Sequence, residues 1–418
     1  MKFRGGSKAV KRIAIIMLIA VVSSVLPSCA AADDLPHDGV VYSSRHYAGD
    51  SVYYKGTNGL SCTFFDEPGH EYEACVNPLC YHNTQECAAY WRGYCTLIVS
   101  PKKRPLPLIY MFGYRNGSEY IDGEQVELDR NDKNRGALRV FDVATGEGRV
   151  IANTDFLHAP DAWYCDGMIY VTALYRTETA GRDNRVGMID AVTGEYKELD
   201  IKMNARAAGI WNGRLYYITS RGTVYSTDMS LSDEREEYVC GISTIREGEK
   251  TPRAFVSEGM LYFERNARST DKSYCSISDV YAVDLRDIDA GEHLVAAGVY
   301  QFISDDGDLY YTLWKLETHG TVALARPDFE GNESLEIRSY DGGSLYRYDA
   351  KNGDRELCYS DCGISITEIY DAQDGKIIFG GVRYRLDDGE TEIGDVFGLQ
   401  CEICVSDTET GICYILKK

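Results

Sequence analysis

An all-β propeller of seven four-stranded blades is the fold predicted by this 418-residue sequence. Three observations predict it. A hairpin couplet recurs along nearly the whole chain, its two halves alternate strictly, and its step is close to the length of one blade. Each first half is a turn or short lead-in followed by an apolar–aromatic run. Each second half is a strand closed by Asp.

The first half occurs at Gly49-Asp50-Ser51-Val52-Tyr53, Leu108-Ile109-Tyr110, Asp166-Gly167-Met168-Ile169-Tyr170 and Asn212-Gly213-Arg214-Leu215-Tyr216. It returns at Glu258-Gly259-Met260-Leu261-Tyr262, Asp306-Gly307-Asp308-Leu309-Tyr310 and Asp374-Gly375-Lys376-Ile377-Ile378. The second half closes at Asp66, Asp142, Asp190, Asp228, Asp284, Asp349 and Asp407. From Tyr53 to Ile378 the step averages about 54 residues, slightly above the roughly 40–50 of a propeller blade. Asn and Gly before the aromatic run supply the left-handed backbone that tight hairpin turns require. A four-stranded unit of this size cannot bury its own faces. Stacking the units radially covers them and leaves only short edges.

The repeat covers most of the chain, so one domain is expected at 39–418, interrupted by a Cys/His insertion at 75–95. Two longer insertions, at 115–135 and 316–342, are candidates for binding surfaces, because polar loops on a rigid scaffold are where ligands usually meet a protein.

Before the repeat comes a different kind of sequence. Lys2, Arg4, Lys8, Lys11 and Arg12 precede the uncharged run Ile13–Val25, and Leu26-Pro27-Ser28-Cys29 follows. A basic region and an apolar run of 13 residues form an export signal too short to span a bilayer comfortably. The Leu-Pro-Ser-Cys end resembles a bacterial lipobox, with residues 1–28 removed and Cys29 lipidated. An ordinary signal cleaved near Ala30 or Ala32 is the alternative. Residues 29–38 then form a short tether. Two acyl chains, each CH₂ contributing about 0.8 kcal/mol, suffice for stable anchoring.

Charge narrows the partners. The whole chain carries −21; with five bases and no acid in 1–28, the remainder carries −26. Such a surface argues against nucleic acid and anionic headgroups as direct partners of the propeller. The seven His are scattered, and no Gly-x-Ser-x-Gly elbow or phosphate-cradling glycine loop is present. Acidic clusters such as Asp305-Asp306-Gly307-Asp308 read as strand-connecting turns.

Cys75, Cys80, His82 and Cys87 make a Cys-x4-Cys-x-His-x4-Cys set. Three thiolates and an imidazole suit a tetrahedral zinc ion. An exported chain also permits disulfides, Cys75–Cys80 or Cys75–Cys87 among them. Both readings stay open. Thirteen cysteines remain besides Cys29, so at least one is unpaired or metal-bound. Cys404 and Cys413 read as small hydrophobes in strands.

This motif, placed early in a lipoprotein of Gly-x-Leu-Tyr-Tyr repeats, resembles an uncharacterised family of bacterial surface lipoproteins. That family is a domain of unknown function similar to the propellers of low-density-lipoprotein-receptor-related proteins. Such segments often carry Pro after the last Cys, where this chain has Ala88. The resemblance implies a fold and a location at the outer face of the bacterial membrane, and no activity. The expectation is therefore a monomeric, non-catalytic propeller that binds an unknown protein or glycan ligand. The alternative is an exported glycan hydrolase or lyase, which requires carboxylates converging on the propeller axis.

Overall fold

The computed structural model describes Val41 and, with short breaks, residues 46–417; breaks of five residues or more fall at 81–86, 100–106, 128–135, 177–181, 242–250, 270–275, 325–332 and 384–399. The signal peptide, Cys29, the whole of the tether and His82 lie outside the described residues.

The chain is all-β and forms a propeller. Five sheets are separate and blade-sized. One has three strands, Ser51–Lys55, Leu60–Phe64 and Tyr72–Glu73, and Tyr47 bridges to its Val52. The four-stranded sheets begin at Cys95–Val99, Ala162–Cys165, Ala205–Trp211 and Ser365–Gln373. The strands from Ala254–Ser257 to Arg355–Ser360 form one continuous seven-stranded sheet.

The expectation of seven separate four-stranded blades is thus corrected to five blades beside one long sheet. Strand His293–Asp305 is the cause. Its 13 residues pair with Ser276–Asp284 between His293 and Val299, and with Asp308–Leu313 between Val299 and Asp305. One strand therefore serves two neighbours. Its backbone donors and acceptors stay paired where a break would have opened two edges.

Within the sheets the predicted turns are present. Trp211 pairs with Arg214 across the two-residue loop Asn212-Gly213, both in left-handed conformation (φ 50° and 67°). The same geometry recurs at Asp166-Gly167, Glu258-Gly259, Asp306-Gly307 and Asp374-Gly375. A turn with φ > 0 at both central residues matches the right-handed twist of the flanking strands. At the opposite hairpins the closing Asp caps the turn: Asp190 Oδ1 accepts from the amides of Val192 (2.8 Å) and Thr193 (2.7 Å).

The repeat tyrosines seal adjacent units. Tyr53, Tyr110, Tyr170, Tyr217, Tyr262 and Tyr311 are all fully buried. Tyr262 OH donates to Gly307 O (2.6 Å), and Tyr170 OH donates to Met229 O (2.8 Å), each reaching a turn of the next unit. An aromatic body is thereby buried without an unpaired hydroxyl.

The ring closes between the first and last sheets. Tyr47, Val52 and Tyr54 pack with Ile378, Val405 and Leu416, and Gly69 N donates to Leu416 O (2.9 Å). Asp371 Oδ2 accepts from the backbone amides of His46 (3.0 Å) and Tyr47 (3.1 Å), more than three hundred residues away in sequence. The two long insertions are not simple loops. Ser118–Ile121 pairs with Glu124–Glu127, and Leu316–Leu324 with Glu333–Tyr340, as separate two-stranded hairpins.

Candidate functional site

Strands from several sheets, with the segments that lead into them, line two cavities on the axis of the ring. The larger, about 410 Å³, is lined by His46, His158, Asp161, Arg206, Arg253 and Glu368, with Phe302 and Tyr370 among its apolar walls. The smaller, about 220 Å³, lies toward the Asp-Gly turns and is lined by Trp163, Phe255, Asp305, Asp306, Asp371 and Val41 among others.

Arg206 projects from the strand Ala205–Trp211, whose neighbours are almost all small and apolar, so its charge stands alone on its own strand. It forms a bidentate pair with Asp161, Nε to Oδ2 at 2.6 Å and Nη2 to Oδ1 at 2.8 Å. Asp161 is 2 % exposed and Arg206 19 %. Burial opposes the guanidinium charge, but the Asp161 carboxylate outweighs it and holds the arginine above its ordinary pKa. A forked guanidinium matches a carboxylate in this way, and a lysine would not.

Arg253 is held by different partners. Its Nη1 donates to Gln301 Oε1 (2.9 Å), its Nη2 to Tyr300 O (3.2 Å), and its plane lies 4.8 Å from the Phe302 ring centre. Its Nε reaches Glu264 Oε2 at 3.4 Å. The cavity wall is therefore a set of charges already oriented by neighbouring strands, interleaved with aromatic rings. Such a surface presents donors, acceptors and a stacking face to a polar guest with little reorganisation.

At the turn end the balance is acidic. Asp305 has its pKa pushed up to about 7, first by burial and then by the nearby Asp371, Asp306 and Asp374 carboxylates. Asp308, three residues on, instead binds Arg347 Nε (2.7 Å) and the Ala350 amide (3.1 Å). The acidic run read from sequence as a solvated turn thus splits: the turn is there, but Asp305 faces the channel.

The cysteine set lies elsewhere, between the first and second sheets. The sulfurs of Cys75, Cys80 and Cys87, none of them in a disulfide, all lie within 4.8 Å of one another. Cys75 is 9 % exposed and Cys87 2 %, packed among Leu60, Ala74 and Ala89. Burial raises both thiols, Cys87 to about 12. The structure brings together three of the four residues of the predicted set; His82 lies outside the described residues. Cys404, fully buried in strand Gln400–Asp407, behaves as the small hydrophobe expected.

Sequence reasoning missed Asp161, Arg206 and Arg253. A single Arg in an apolar strand was a usable signal, since such a charge must find a partner. The partner, 45 residues upstream, was not visible.

No protein-family model and no curated protein matches the chain. Solved structures match its fold. The acylaminoacyl peptidase of Pyrococcus horikoshii is similar with a TM-score of 0.50 at 11 % identity, over 91 % of this chain and 52 % of the peptidase. The chain thus corresponds to about half the length of that enzyme. The computationally designed Ika8 protein is similar with a TM-score of 0.40 at 10 % identity, over 92 % of this chain and 98 % of the design. At these identities the likeness is one of fold alone.

Proposed function

We propose that this protein is a lipoprotein, anchored through Cys29 at the outer face of the bacterial membrane, whose propeller binds a ligand without transforming it. The observation that carries the binding reading is the cavity of about 410 Å³, walled by Arg206, Arg253, Gln301 and Glu368 beside Phe302 and Tyr370. Fixed hydrogen-bonding groups alternating with aromatic faces suit a glycan, whose hydroxyls need both donors and acceptors and whose ring faces stack.

Two experiments test the reading. Metabolic labelling with an alkyne fatty acid is expected to mark the wild-type protein in the membrane fraction and to fail on Cys29→Ser. Label retained by that variant rules out the anchor. Calorimetric titration with soluble cell-wall glycan fragments is expected to show binding that Gln301→Ala weakens about tenfold or more, the scale of losing a hydrogen bond to a charged group. Binding unchanged by that substitution places the ligand elsewhere.

A second reading, an exported glycan-active enzyme, draws on one observation: Asp305 and Asp371 line the same cavity, and Asp305 is poised near neutrality. A carboxylic acid held protonated near pH 7 is what a general acid requires. Turnover of those glycan fragments, abolished in Asp305→Asn, would favour it.

A further inference from the structure

We propose that Cys75, Cys80 and Cys87 are the ligands of one structural zinc ion, which fastens the insertion after the first sheet to the seam between the first and second sheets. Three features of the molecule support this. The sulfurs come from separate points of the chain yet lie mutually within 4.8 Å. Three sulfurs at about 2.3 Å from a zinc ion at tetrahedral angles stand roughly 3.8 Å apart, so a small contraction closes the site.

The backbone delivers them there deliberately. Ala74 N donates to Leu60 O (2.9 Å), and Leu60 N donates to Ala89 O (2.8 Å), so both ends of the segment are tied to one residue. Between them, Cys80 N donates to Asn77 O (3.1 Å), closing a turn that carries the middle sulfur back.

A disulfide fits the arrangement less well. Joining any two sulfurs leaves the third against the bond, still buried, whereas one cation uses all three. The soft thiolates select zinc over calcium or magnesium, and zinc's four-coordination leaves one position for a further donor. Each thiol surrenders its proton as its sulfur bonds the ion.

The test uses the whole mature chain, purified anaerobically, with metal measured by inductively coupled plasma mass spectrometry. One equivalent of zinc is expected, lost in Cys75→Ser and Cys87→Ser and kept in Cys358→Ser, whose sulfur lies outside the cluster. Cobalt replacement in the wild-type chain gives a second readout that does not depend on a Ser variant folding. Intense visible ligand-field bands with thiolate-to-cobalt charge transfer are expected, as from a tetrahedral sulfur-rich site. A disulfide mapped between any two of the three cysteines, copper(I) as the only bound metal, or zinc kept by both cluster variants overturns the proposal.

Discussion

Aspartates at the outer rim of this ring and aspartates at its axis come from similar sequence signals and behave in opposite ways. Asp190, Asp284 and Asp349 close hairpins at the rim, and all three are held below the usual carboxylate range. Backbone amides stabilise the charge at Asp190 and Asp349, and the Arg286 side chain does so at Asp284. Asp305 also stands beside a hairpin turn, yet burial and three other carboxylates raise it to about 7. Asp161, at the axis as well, is buried but matched to Arg206. The lesson is that a turn signal reports backbone geometry. Whether the carboxylate is stabilised depends on what the ring brings toward it.

The largest effect is expected from breaking the axial pair. Asp161→Ala leaves Arg206 charged and mostly buried, and urea denaturation should show a loss of about 3–5 kcal/mol. The double variant Asp161→Leu with Arg206→Met should recover most of it, since an apolar pair of similar volume is often neutral. A loss below about 1 kcal/mol for the single variant would mean the axis is as wet as the rim.

Asp305 sharpens the contrast through pH. Its folded pKa, about 7, exceeds the unfolded 3.8, so the native state holds the extra proton. Its contribution to stability is full below about pH 4 and is lost as pH rises toward 7. Denaturation midpoints measured at pH 5 and 7.5 should therefore differ less in Asp305→Asn than in wild type, with the variant the more stable at the higher pH. Asp190 should behave inversely. Its folded pKa is lowered, so its contribution is present above the unfolded value and disappears on acidification.

Asp190→Ala removes two amide caps and is expected to cost about 1 kcal/mol at neutral pH, read as a lowered Tm. Smallest of all is Arg286→Ala. That side chain pairs with Asp284 at 2.7 Å but is 56 % exposed, and its removal should change stability by no more than about 0.5 kcal/mol.

Much of the fold was legible because its signals are local. Asn212-Gly213 dictates a two-residue turn whatever surrounds it, and the aromatic run after it is a strand that must be covered. Less legible was the continuous seven-stranded sheet. The run His293–Asp305 reads as an ordinary strand, and its double pairing depends on where its neighbours come to lie. Of the candidate site, Cys75, Cys80 and Cys87 were legible by their closeness in sequence. The Arg206–Asp161 clasp was not, because Asp161 precedes the strand Ala162–Cys165 while Arg206 lies in Ala205–Trp211 of another sheet.

By itself the sequence determined the hairpin turns and the aromatic strands that follow them, since turn chemistry and strand periodicity act over a few residues. Tertiary structure alone decided which charges meet on the axis, which aspartate ionises less readily than its fellows, and how Asp371 holds His46 and Tyr47 to the last sheet. Those outcomes depend on burial and on Coulomb interactions across space, which a linear chain leaves open until the ring has closed.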